Sequence, residues 1–163
     1  MGVEVGGFSP PHVLIADDDP ACLIKLEKAF HRQGFQTVSC TDGREAWMAI
    51  QQRPNVVLAV LNWMMPGMDG HMICRRLHER QSTVVPVLMI GRSFLHEAWT
   101  RLYLRTQYVL AKPFSETEIN RQVCALIRLA IPRHTGRRNG LDLSTYCAEP
   151  NVRTGPLTGT SGN

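Results

Sequence analysis

The sequence predicts an α/β fold in which a parallel sheet carries helices on both faces. Three observations point to it. Between residues 12 and 131, short apolar runs alternate five times with segments of helical periodicity. The runs are continuous rather than alternating in hydrophobicity, as in Val56-Val-Leu-Ala-Val-Leu61, which is the pattern of strands buried on both faces. Each run ends at polar, Gly or Pro residues, as strands do where they enter the loops of a βα unit. Repeated βα units of this kind imply right-handed crossovers.

Residues 1–11 are rich in Gly and Pro and read as a disordered leader. His12–Ala16 is the first strand candidate and runs straight into Asp17-Asp18-Asp19-Pro20. Asp19 before Pro20 reads as a helix start, an acidic cap followed by proline at the first helical position. Leu23, Leu26 and Phe30 recur at helical spacing until Gly34 stops the helix. Phe35–Cys40 is the second strand. Thr41-Asp42-Gly43 turns into a helix bearing Ala46, Trp47, Ala49 and Ile50, which Pro54 ends.

The third strand, 55–61, leads through a Met- and Pro-containing loop to Asp69-Gly70, the cap of a helix with Met72, Ile73, Arg76 and Leu77. Val84–Ile90 is the fourth strand, ended by Gly91-Arg92-Ser93. Ser93 then starts a helix with Phe94, Ala98, Trp99 and Leu102. Tyr108–Ala111 is the fifth strand and stops at Lys112-Pro113. Ser115-Glu-Thr-Glu118 has the form of a capping box, and behind it Ile119, Val123, Leu126, Ile127 and Ala130 share one face. Residues 132–163 are poor in large apolar groups and read as a disordered, mildly basic tail.

A chain of 163 residues with 44% apolar and 20% charged residues makes one well-cored domain, here 12–131, plus tails. No apolar run approaches the length of a membrane span, and the N-terminus lacks the basic-then-apolar layout of a signal peptide. The protein is therefore read as cytoplasmic, without membrane contact. The five cysteines show no C-x-x-C pair and an odd total, which favours small buried hydrophobes over a disulfide framework or a metal site. The net charge of +4 divides into +3 over residues 12–131, +2 after Ile131 and −1 from Glu4. No part is strongly basic, and nucleic acid is not the partner that charge suggests.

In an open parallel sheet, ligands sit beyond the carboxyl ends of the strands. The residues found there are Asp17 and Asp18 after the first strand, Asn62 after the third, Gly91 after the fourth and Lys112 after the fifth. Two adjacent carboxylates repel unless a cation neutralises them, so Asp17, Asp18 and Lys112 together suggest a site for a small hard cation or a phosphate. The plainer alternative is a solvated turn with a helix cap and a surface lysine.

The segments Val13-Leu-Ile-Ala-Asp-Asp-Asp-Pro20, Val57-Leu-Ala-Val-Leu-Asn-Trp-Met-Met-Pro-Gly-Met-Asp-Gly70, Pro86-Val-Leu-Met-Ile-Gly91 and Ala111-Lys-Pro-Phe114 resemble, in order and spacing, the receiver domains of bacterial response regulators. The resemblance implies a flavodoxin-like (βα)5 fold with strand order 2-1-3-4-5. It also implies a phosphoacceptor aspartate ending the third strand, magnesium held by the acidic pair, and a hydroxyl and a lysine contacting the phosphoryl group. By position, Asp17 and Asp18 match the acidic pair and Lys112 the lysine. Met64 would lend its backbone carbonyl to a metal, and the Lys112–Pro113 bond is expected to be cis.

Three positions depart from that pattern. Asn62 stands at the phosphoacceptor position, and an amide is neither a carboxylate nucleophile nor an anionic ligand. Gly91 stands where the family has Thr or Ser. Val109 stands where the family has its switching aromatic, while Tyr108, one position earlier, would point to the other face. Asp69 offers no rescue, because it should cap the following helix.

The expectation is a stand-alone module of two-component type that acts through protein contact, without aspartyl phosphorylation and without catalysis. No cofactor is required, and a weakened magnesium site of Asp17, Asp18 and the Met64 carbonyl is what remains. With one negative charge missing, Lys112 pairs with Asp17 or Asp18 and locks one conformation, or else Asn62 simply satisfies its bonds in an inert pocket. The resemblance places the contact face on the fourth helix, fifth strand and fifth helix, here Trp99, Leu102, Tyr103, Tyr108 and Phe114. Its partner would be a histidine kinase, an output protein or a second copy. A phosphorelay protein with magnesium and an atypical acceptor, or nucleic-acid contact through Arg133, His134, Arg137 and Arg138, are the alternatives. The histidines lack metal-binding spacing and read as surface residues. Of Met64, Met65, Met68 and Met72, some should be core.

Overall fold

The computed structural model describes residues 11–94 and 108–134. Five parallel strands form one sheet in the order β2-β1-β3-β4-β5: β1 (His12–Ala16), β2 (Gln36–Cys40), β3 (Val56–Asn62), β4 (Val85–Gly91) and β5 (Val109–Lys112). Between them run α1 (Pro20–Arg32), α2 (Gly43–Gln52) and α3 (Gly70–Glu79). A 3₁₀ turn at Arg92–Phe94 follows β4, and α4 (Glu116–His134) follows β5. This is the flavodoxin-like architecture the sequence predicts.

The two-residue period of a strand divides the core into two layers. Val13 and Ile15 of β1, Leu58 and Val60 of β3, and Val85, Val87 and Met89 of β4 meet α1 and α4 on one face. Leu14, Ala16, Ala59, Leu61, Leu88 and Ile90 meet α2 and α3 on the other. Because β1, β3 and β4 are covered on both sides, their sequences are unbroken apolar runs.

Polar signals fix the helix starts. The Asp19 side chain accepts the N–H of Ala21 at 2.9 Å with Pro20 in the first turn. Asp42 accepts from Arg44 N at 2.6 Å, and Ser115 and Glu118 close the capping box, Glu118 N donating to Ser115 Oγ at 3.2 Å and Ser115 N to Glu118 Oε2 at 2.8 Å. These bonds to Ser115 hold the Glu118 carboxyl below its usual range.

Several expectations are corrected. Strands β3, β4 and β5 each end one residue later than the polarity break suggests. Asn62 pairs in register with Met89 and Gly91 with Lys112, so these residues close the ladder instead of opening the loop. Arg92–Phe94 forms a 3₁₀ turn, and the helix expected from Ser93 onward, with Trp99, Leu102 and Tyr103, lies outside the described residues. The last helix runs to His134, three residues past Ile131, while Arg137, Arg138 and the rest of the expected tail lie outside, as do residues 1–10 of the leader. The histidines are not uniformly surface residues: His12 contacts Asn55, and the Nδ1 of His71 is enclosed without a partner among the described residues.

Cys22, Cys40 and Cys74 are buried thiols, as expected, and Cys147 lies outside the described residues. Burial pushes them up to about 12, 11 and 12, respectively, well above an unfolded thiol near about 8.5. A folded-state pKa above the unfolded one stabilises fully below the unfolded pKa, and the benefit is lost as pH rises from there toward the folded value. The urea midpoint should therefore fall between about pH 8 and pH 10, and iodoacetamide at the lower pH should leave these native thiols unmodified. Leu26→Ala on the buried side of α1 should cost about 3 kcal/mol in urea unfolding. Ile24→Ala on its exposed side should cost less than about 0.5 kcal/mol.

Candidate functional site

Strand β1 ends beside Cys40 of β2 and Leu61 of β3, so Asp17 leaves the sheet at its centre. Asp17 is wholly buried, the one buried charged residue among those described. A buried carboxylate needs both a cation and N–H donors. The Lys112 ammonium, carried in from the end of β5, forms an ion pair with Oδ2. The backbone N–H of Asp19 donates to Oδ1 at 3.0 Å, and this carboxylate adds to burial in pushing the Cys22 thiol up.

Lys112 makes a second bond, to Asn62 Oδ1 at 3.1 Å. The other end of that amide donates twice, from Nδ2 to Asp18 Oδ1 at 2.8 Å and to the Met64 carbonyl at 2.9 Å. The amide orientation follows from its neighbours, since an ammonium only donates and a carboxylate and carbonyl only accept. One asparagine thus links the lysine, the exposed member of the acidic pair and the loop backbone.

The loop is braced to keep this geometry. Trp63 N donates to Met89 O at 2.9 Å and Gly70 N to Trp63 O at 2.8 Å. Gly70 starts α3 so close to the sheet that a Cβ there would collide with the Asn62 carbonyl oxygen. Gly67, at φ +77°, turns the chain past the Asp42 carboxylate. Beside Gly91, the rings of Trp63 and Phe94 pack edge to face with centroids 5.6 Å apart.

Comparison with known proteins gives this arrangement its family. The family model described as response regulator receiver domain matches residues 13–124. The chain belongs to the response regulator receiver domain family. Its curated relatives include the phosphate regulon transcriptional regulatory protein PhoB of Rhizobium meliloti (strain 1021), 32% identical over 125 residues, 75% of this chain and 54% of that protein. The alkaline phosphatase synthesis transcriptional regulatory protein PhoP of Bacillus subtilis (strain 168) is 29% identical over 71% of this chain and 48% of its own length. The receiver thus spans about half the length of the curated relatives it matches. Among solved structures, the receiver domain of the Francisella response regulator 1452 aligns with TM-score 0.63 and 28% identity, covering 73% of this chain and 98% of that one. No helix of the described residues is long and apolar enough to cross a membrane.

Of the residues singled out from sequence, this receiver brings Asp17, Asp18, Asn62, the Met64 carbonyl and Lys112 into one hydrogen-bonded group. Gly91 closes β4 next to them, and the Lys112–Pro113 bond is cis. Asp69 occupies the N-cap of α3, but its side chain makes no cap bond; it turns back to accept the Met65 N–H at 3.2 Å. Val109 is exposed while Tyr108 packs partly against the α1–α4 core, on opposite faces as strand alternation requires. Phe114, expected on an interaction face, is buried in that core, with 9% of its surface exposed. Met65 is buried, whereas the Met64 side chain is 67% exposed.

The sequence reading missed Cys22 at Asp17 and the Trp63–Phe94 pair. Neither carries a spacing signal: Cys22 is one apolar position of an amphipathic helix, and Phe94 reads as a helical residue until the 3₁₀ turn redirects it. Lys112→Met should destabilise the domain by about 3 kcal/mol, because it leaves Asp17 buried without its cation. Asp17→Asn combined with Lys112→Met should recover part of that loss in a double-mutant cycle read by urea unfolding.

Proposed function

We propose that this receiver domain signals through protein contact and does not undergo aspartyl phosphorylation. The observation that carries the reading is the bonding of the Asn62 amide. The family resemblance assigns phosphoryl acceptance to the residue ending β3, and a primary amide lacks the nucleophilic carboxylate oxygen this requires. Gly91 supplies no hydroxyl for a phosphoryl group, and Val109 is not an aromatic that could change rotamer with it.

A divalent cation fits this donor set poorly. Asp18 Oδ1 and the Met64 carbonyl each already accept an amide N–H, and Asp17 is held by Lys112. A hard cation takes oxygen ligands at about 2.0–2.6 Å. To sit on these two oxygens it would have to displace the Asn62 NH₂, which is a donor and not a ligand. No cofactor is required on this reading, and magnesium binding is weakened by the loss of a carboxylate at position 62. The chain of bonds from Asp17 through Lys112 and Asn62 to Asp18 then holds one arrangement without a metal.

The partner is a protein of a two-component pathway, a histidine kinase or an output protein, met in the cytoplasm. The domain has no catalytic role of its own. The contact face is the surface around β5 and α4, where Val109 is 42% exposed and Tyr108 is half-buried; a second copy of the chain is an alternative occupant.

Incubation of the full chain with magnesium and acetyl phosphate, quenched in acid and read by intact mass, should leave the native mass unchanged. Asn62→Asp should gain one phosphoryl group. Magnesium at about 10 mM should raise the thermal midpoint of Asn62→Asp and leave that of the native chain in place. A phosphoryl adduct on the native chain would sink the proposal.

A further inference from the structure

A second concave feature lies at the opposite edge of the sheet, between α2 and α3. It has a volume of about 350 Å³ and is lined by Trp47, Ile50, Gln51, Leu77, Arg80, Ser82 and Val84. Val84 immediately precedes β4, so the groove opens at the amino end of the strand whose carboxyl end is Gly91. Its size is at the lower end of small-molecule sites, roughly 300–1,000 Å³, and its walls have their usual character, apolar with a few polar groups.

The polar groups are what give the groove a ligand class. Arg76, in the last turn of α3, and Arg80, its C-cap, hold their guanidinium carbons 5.4 and 4.9 Å from the centroid of the buried Trp47 ring. A guanidinium held beside an indole by cation–π attraction spends no N–H on the ring centre and keeps donors that can bind oxygen. Arg80 spends one N–H on Gln51 Oε1, at 3.3 Å, and the Arg76 side chain makes no hydrogen bond to another described residue. Neither has a carboxylate partner among the described residues; Glu79, between them in sequence, pairs with Arg75 at 3.7 Å. Residues 43–53 and 70–82 together carry five arginines against two glutamates. A cation near the end of α3 also favours the helix dipole, but that effect calls for neither an indole beneath it nor a recess beside it.

We propose that this groove binds a small organic anion with an aromatic body. The ring enters the recess of Ile50, Leu77 and Val84 beside Trp47, and a carboxylate or phosphate group lies on the guanidinium of Arg80, which lines the groove, with Arg76 beyond the lining on the same Trp47 ring. Two planar forks at the end of α3 suit an anion with two or more oxygens better than a single ammonium would. The site is independent of the pocket at Asn62 and stands whether or not that pocket is phosphorylated.

The test is a titration of the ¹⁵N-labelled full chain with phenylacetate, phenyl phosphate and neutral phenylacetamide, followed at the indole N–H signals. Trp63→Phe and Trp99→Phe assign two of the three signals and leave that of Trp47. Both anions should shift the Trp47 signal saturably, with phenylacetamide at least tenfold weaker. Arg76→Gln with Arg80→Gln should lose at least tenfold in affinity while the other two indole signals stay in place. Arg80→Lys, which keeps the charge and removes the fork, should also bind more weakly. No saturable shift by about 10 mM ligand, an equal response to the neutral amide, or undiminished binding by the arginine variants would overturn the proposal.

Discussion

Asp17 is a full charge at the point where the hydrophobic sheet meets its loops, with no access to water. Taken from solvent alone, a carboxylate at such a place would cost several kcal/mol, so every neighbouring group is arranged around answering it. Lys112 must reach across from β5, past the ends of the two intervening strands β3 and β4, which requires β5 to have a register that ends on the lysine. The turn into α1 must present the Asp19 N–H, and α1 must begin there. Once Lys112 is committed to Asp17, its remaining donor capacity meets Asn62, and the orientation of the amide follows, then its two bonds to Asp18 and Met64. The strand order, the start of α1 and the path of the β3–α3 loop all serve the same electrostatic demand.

The fold was legible because its signals are local and redundant. A continuous apolar run such as Val56–Leu61 has few alternatives to a doubly covered strand, and caps such as Asp19-Pro20 and Ser115 to Glu118 name helix starts by their own hydrogen-bond chemistry. The site was legible in membership, since the residues that end parallel strands must converge on one edge. What escaped depends on side-chain direction. Asp69 was placed correctly as a cap position, yet its carboxylate serves Met65, because the loop backbone offered a closer donor. Phe114 reads as a surface aromatic in sequence because nothing local reveals that the chain after Lys112-Pro113 turns it inward. Trp47 looked like one more core residue, and only the stacking of Arg76 and Arg80 over it shows that it faces two environments.

The two ends of the sheet differ in how their charges are balanced. At the carboxyl edge every charge and amide of the site has a partner within the chain, and under the proposed reading little capacity is left for a small ligand. At the amino edge the guanidiniums of Arg76 and Arg80 lie beside the Trp47 ring without a carboxylate partner among the described residues. Under the two proposals, recognition chemistry at this protein is sought away from the place where the family's resemblance first directs attention.

The Asn62 amide also bears on what kind of information the domain can carry. A carboxylate at that point would make the pocket's state depend on dissolved ions and on the supply of activated phosphate. Under the proposed reading, an amide that satisfies its neighbours by itself removes both dependences, and its bonds are made once, when the chain folds. Under the proposed reading, such a domain has one setting. Any variation in the message it conveys must then come from copy number, from lifetime, or from which partners are present to meet it.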